Sequence, residues 1–183
     1  LLLERPQLAR FVLARGLLVG TALAPPYLVL LAGGDGVFSA LGALVLASSM
    51  AALLSSYVWG RLADRSSRQV LIYSGLAGAA ALGAALALQA WGWAMPVVLF
   101  GLMIAYHGVR QGRSTYLVDM AGEADRAAYT AVSNTAIGLL LLAVGAIAAA
   151  VAAFSVPLDI GGFTVMCLGG AVVALGLDEV EHV

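Results

Sequence analysis

The chain has 183 residues, 62 % of them hydrophobic and 10 % charged, with a mean hydropathy of +1.00 and a formal net charge of −1. So few charges cannot build the shell of a soluble domain, and with no basic patch outside the presumed loops the composition excludes a nucleic-acid binder. The single cysteine, Cys167, excludes an internal disulfide and is expected to be a small residue facing lipid or protein.

The charges divide the chain into long uncharged runs: Gly16 to Gly34, Gly36 to Gly60, Gln69 to Val109, Ala127 to Leu158 and Ile160 to Leu177. A bilayer core of ~30 Å is crossed by about 20 helical residues, and unpaired backbone groups in hydrocarbon force the helix. The fold class expected is therefore an all-α integral membrane protein, multi-pass, with the lipid bilayer as its first partner. The leading residues are not a signal peptide, because the apolar run after Glu4, Arg5, Arg10 and Arg15 is too long and lacks a small-residue cleavage site. The chain begins with Leu1, and it is expected to be a piece of a longer protein.

The run Gln69 to Val109 is long enough for two spans, and "QAWGWAMP" (Gln89 to Pro96) divides it. Trp91 and Trp93 suit the membrane interface, Gly92 a turn, and Pro96 the first turn of a helix. Six helices are predicted as one bundle over residues 1–183: Phe11–Ala32, Val37–Arg61, Gln69–Ala90, Met95–Asp119, Asp125–Phe154 and Pro157–Leu177. The connections are short, so sequence neighbours are expected to pack as antiparallel neighbours.

In chain order, the first helix carries Pro25 and Pro26, which should break or kink its outer half. The second carries Ser48, Ser49, Ser55, Ser56 and Tyr57, and the fifth carries Tyr129, Thr130, Ser133, Asn134 and Thr135. The third and sixth are almost wholly Ala, Gly, Leu, Val and Ile, and can bind no polar solute. On the fourth, about 100° per residue places His107, Arg110, Gln111 and Ser114 on one face, with Tyr106 and Arg113 at its edge. The opposite face is a stripe of small residues, Gly101, Ala105, Gly108 and Gly112, suited to close helix packing.

His107 should lie near mid-membrane and Arg110 about two-thirds of the way across. A cation there costs at least ~2.5 kcal/mol unless it meets water, a partner or a snorkelling route. The polar face is therefore expected to line an aqueous cavity or a buried network, with His107, Arg110, Gln111, Ser114 and Asn134 as the candidate substrate or proton site. Four of the polar side chains on these helices have plainer alternatives. Arg113 can snorkel, Arg110 can form a structural pair, His107 can bond a backbone carbonyl, and Asn134 can hydrogen-bond across helices.

The nine arginines fall before the first helix, at the turn after the second, late in the fourth and at the start of the fifth. With six spans all of these lie on one side, leaving only Asp35 and Asp159 opposite. The positive-inside rule makes the arginine side cytoplasmic, together with both termini.

That side carries "GRLADRSSRQVL" (Gly60 to Leu71), which resembles the loop signature of the major facilitator superfamily between the second and third helices of a six-helix half. Gly60, Leu62, Asp64, Arg65 and Arg68 match its spacing, and Ser67 stands where a glycine is expected. "VRQGRSTYLVDMAGEADRAAYTAVSNTAIG" (Val109 to Gly138) resembles the passage from the fourth to the fifth helix of such transporters. The resemblance implies one six-helix half with a 3+3 inverted repeat, peripheral third and sixth helices, and a missing N-terminal half as partner. The serine at position 67 favours the C-terminal half. The implied activity is secondary transport of a small solute by alternating access, proton coupling falling to His107 or to the missing half. The implied location is a plasma or bacterial inner membrane. Within the loop, Asp64 would act as a gating latch with Arg110 or Arg113 as its partner.

No cofactor or metal is expected. An enzyme is not expected either. There is no G-x-S-x-G, no H-E-x-x-H and no cluster of carboxylates, and Ser114 lies ~10 Å along the helix from His107. The remaining alternative is a self-contained six-helix scaffold or a half-size transporter that dimerises.

Overall fold

The computed structural model describes residues 5–31 and 37–179, without the side chains of residues 37–41, 43 and 44. Asp35 and Ala32 lie outside the described residues. The described chain is helical, with no strand. Helix α1 runs from Pro6 to Leu31 in three segments, Pro6–Leu17, Gly20–Leu23 and Pro25–Leu31. It is followed by α2 (Val37–Ala63), α3 (Ser67–Ala87), α4 (Met95–Met120), α5 (Arg126–Ala152) and α6 (Val156–Leu175). Five of these are long and apolar enough to cross a membrane. The sixth, α2, has 27 residues and no charge before Arg61.

Local chemistry sets the boundaries. Pro6 occupies the first turn of α1, where its missing N–H costs nothing, so the helix begins five residues before the expected Phe11. Arg10 consequently lies inside the helix rather than ahead of it, and Arg15 stands more than two turns from its start. The prolines break α1 at Ala24, as expected, and a second tightening comes earlier, where the Thr21 N–H bonds the Leu18 carbonyl three residues back. Pro25 has no N–H to return to Thr21, which frees the chain to change pitch there. Ser66 caps α3 by accepting the Gln69 N–H, and Ser155 caps α6 by accepting the Leu158 N–H. These caps start both helices slightly before the expected residues. Asp159 is buried in the first turn of α6, where the helix N-terminus favours a carboxylate.

Among the described residues, α3 and α4 are the only sequence neighbours in extensive contact. Helix α4 lies along both α3 and α2, and α3 also packs lengthwise on α6, which in turn touches α1. Among the described residues α1 and α2, neighbours in sequence, share little contact, and α4 and α5 share hardly more. Small residues on α3, α4 and α6 meet a neighbouring helix closely, whereas α5, also rich in alanine and glycine, is only 11 % buried within its span, against 39 to 50 % for the other four. Helices α3 and α6 therefore form a packed centre. The core runs through Leu71, Leu82, Leu102, Ile160 and Phe163, all within 1 % of full burial, with Cys167 buried beside them. Trp91 and Trp93 stack with ring centroids 6.0 Å apart and stand exposed at the α3–α4 turn, as interface residues should.

The small-residue stripe of α4 does what its pattern suggests. A Cβ on Gly108 would lie 2.6 Å from the Trp59 ring and 2.7 Å from Ser74 Cβ. Trp59 cannot swing aside freely, because its indole N–H donates to the Ile104 carbonyl at 2.9 Å. Gly108→Ala is therefore expected to destabilise the fold by about 1–3 kcal/mol despite alanine's better helix propensity. A thermal melt in detergent checks this against Gly138→Ala, whose Cβ would meet nothing within 4 Å. Equal melting temperatures for the two variants would refute the close approach.

Candidate functional site

The ends of the helices meet on one face of the bundle. The Arg10 guanidinium donates to the Gly176 carbonyl and that of Arg68 to the Leu175 carbonyl, placing two cations at the negative end of α6. Arg68 also pairs with Glu179 at 3.1 Å, and the Tyr116 hydroxyl donates to the Asp178 carbonyl. Thus the start of α1, the α2–α3 turn, the end of α4 and the end of α6 share one end of the molecule. The turn is fastened to α4 by Ser67, whose buried hydroxyl donates to Asp119 Oδ2 at 2.8 Å. The serine that stands in place of an expected glycine is thus a tether. Asp64 is exposed, as is Arg65, and among the described residues Asp64 makes no bond to Arg110 or Arg113.

From this same end a groove of about 580 Å³ sinks between α1, α2, α4 and α5. Its walls carry His107, Arg110, Gln111 and Ser114 from α4 and Asn134 from α5, so the five candidate residues come together at one site. Arg113 lies on the same wall. Neither α3 nor α6 contributes a residue to it, in keeping with their apolar sequences. Counting ~1.5 Å per residue from the helix ends there, Arg15, Ser55, Arg110 and Asn134 each lie roughly 12–15 Å from the shared end.

The residue that sequence reasoning misses is Arg15. It is nine-tenths buried, and its two terminal nitrogens donate to Ser133 Oγ at 2.7 Å and Asn134 Oδ1 at 2.9 Å. Asn134 therefore makes a cross-helix bond, the plainer of its two readings, and makes it to α1. Pro6 was the available signal, since a helix opening there carries Arg15 inward. Arg126, Ser55 and Thr130 also line the groove. His107 meets Tyr106 edge-on at 5.3 Å, and its Nε2 is buried with no hydrogen-bond partner.

Both partners of Arg15 are neutral, so they orient the guanidinium without cancelling its charge. No aspartate or glutamate lines the groove among the described residues, while four arginines do. The wall can thus offer many directed donors and a concentrated positive potential. No family model, no curated protein and no solved structure matches the chain.

The Arg15 bonds are the main polar tie between α1 and the poorly buried α5. Arg15→Gln and Asn134→Ala are expected to be coupled by at least ~0.5 kcal/mol in a double-mutant cycle of unfolding in detergent. Additive effects would show that the bond does not hold α5 in place.

Proposed function

We propose that the chain acts in secondary active transport of a small solute across a membrane, as a six-helix half of the major facilitator type. The observation that carries this is the groove: a polar, arginine-rich recess reaching mid-depth between helices of bilayer-crossing length. A protein that only needs to stay in a bilayer has no use for charges there, since each costs free energy unless solvated. A water-filled solute path explains them. The Gly60–Leu71 motif at the α2–α3 turn and the exclusion of α3 and α6 from the groove support the same assignment. In this reading the groove end is cytoplasmic, by the positive-inside rule, and both termini lie there. The two groups of three helices form an inverted repeat, and the chain is the C-terminal half in a plasma or bacterial inner membrane. The chain is not an enzyme. His107 is the proton-coupling residue of this half, if coupling resides in it. Asp64, exposed and with no bond to either arginine, is the gating residue of the loop.

A second reading has an observation of its own. The outer faces of α2 and α5 bare Leu46, Met50, Leu53, Leu139, Leu142 and Ile147 on the two helices that flank the groove. A second copy of the chain could cover them, giving a dimerising half-transporter. Cross-linking stoichiometry in membranes separates a homodimer from a pair of unlike halves.

Transport itself is tested by uptake into proteoliposomes made from the full protein that contains this chain. At least one solute in a panel of sugars, amino acids, organic acids and phosphates is expected to enter faster than into empty liposomes. Arg110→Gln should reduce that entry by about tenfold or more, as expected for losing one charged hydrogen bond to the solute. Uptake no better than empty liposomes across the panel, or uptake untouched by Arg110→Gln and Asn134→Ala, would contradict the proposal.

A further inference from the structure

We infer that the groove is a receptor for a small organic anion, one that presents a carboxylate or a phosphate to Arg15, Arg110, Arg113 and Arg126. The inference rests on the groove being a solute site, as proposed above, and adds the chemistry of what enters it.

Three independent features point the same way. The first is the sign of the charge. Four arginines line one recess of about 580 Å³, and no carboxylate shares its lining among the described residues. Low-dielectric walls focus a field of one sign, so the recess repels cations and concentrates anions. Structural arginines in apolar surroundings are ordinarily paired with carboxylates, and here neutral side chains take that place.

The second is preorganisation. Arg15 is nine-tenths buried and gripped by Ser133 and Asn134, both neutral, while its Nε remains without a partner. A guanidinium held in this way keeps its full charge and a fixed plane, and loses little freedom when an anion arrives. His107 adds a second buried nitrogen without a partner on the same wall.

The third is the donor set around the charges. Ser55, Ser114, Gln111 and the amide nitrogen of Asn134 supply neutral donors that can satisfy the remaining oxygens of a carboxylate or phosphate. Guanidinium forks match both groups in bidentate geometry, and a recess of this volume lies in the usual range for small-molecule sites. A sugar or other neutral solute would leave the four charges uncompensated, and a cation would add to them.

The same chemistry could be met by a soluble anion or by the headgroup of an anionic lipid, and the experiment separates the two. The full-length protein is placed in nanodiscs of phosphatidylcholine and titrated with inorganic phosphate, succinate and glucose 6-phosphate, with glucose and choline as neutral and cationic controls. A second set of nanodiscs contains phosphatidylglycerol and no soluble probe. At least one soluble anion is expected to raise the melting temperature saturably, while glucose and choline do not. Arg110→Gln and Arg126→Gln, two groove arginines on exposed positions, should each weaken that binding by about tenfold or more.

Stabilisation by glucose or choline equal to that by the anions would overturn the inference. So would the absence of any shift with every soluble probe and with phosphatidylglycerol, or anion binding that survives both arginine substitutions together. A shift with phosphatidylglycerol alone, lost in the two variants, keeps the anion site and removes the transport reading. Uptake of a neutral or cationic solute through the groove does the reverse, keeping transport and removing the anion.

Discussion

A guanidinium roughly 13 Å inside a bilayer-length helix must be solvated by something other than lipid, and Arg15 sets the terms for the rest of the structure. Its solution is to reach across to α5 and donate to Ser133 and Asn134. Those bonds orient the charge, yet neither partner neutralises it. The field therefore has to be met by water or by a bound anion, which requires an open recess beside it. The groove between α1, α2, α4 and α5 is that recess. The same bonds hold α5, a helix with little buried surface of its own, against α1.

The molecule divides its labour between two kinds of surface. On one side, small residues bring backbones together: Gly108 seats against Trp59 and Ser74, and α3 packs along α4 and α6 without a polar side chain in the groove. On the other side, α1, α2, α4 and α5 turn hydroxyls, amides and arginines toward one recess. Helix α4 belongs to both, with its glycine stripe on the packed side and His107, Arg110, Gln111 and Ser114 on the open one. Its rigidity links the packed half of the fold to the polar half. A displacement of α5, the helix with least buried surface, can thus reshape the groove while leaving the α3–α6 centre intact.

Much of this was legible in the sequence, for physical reasons that can be named. The two faces of α4 follow from a 100° repeat, and the helix count follows from hydrocarbon thickness. Asn134 and Ser133 stood out because amides and hydroxyls are rare in such apolar runs. Arg15 was not legible as a site residue, since ending the polar leader at Arg15 looked natural until Pro6 is recognised as a first-turn residue. Which helix packs on which was not legible either, because it depends on where small residues let backbones meet rather than on connection length. The α2–α3 motif gave its position correctly, but the bond that fastens it comes from Ser67 to Asp119, and Asp64 stands free of Arg110 and Arg113. A pattern of residue types fixes where a loop lies more firmly than it fixes which side chain reaches a partner.

The central claim is that the groove is wet while equally exposed surfaces elsewhere on the helices lie in lipid. Single cysteines at Gln111, Ser114, Leu142 and Val165 test it directly. All four positions are exposed on the folded chain, and the native Cys167 is buried and silent. In lipid membranes opened to reagent from both sides, a membrane-impermeant maleimide is predicted to modify the cysteines at 111 and 114 quickly and those at 142 and 165 hardly at all. Equal modification at all four would show that these helices do not lie across a bilayer, and protection at 111 and 114 would show that the groove holds no water.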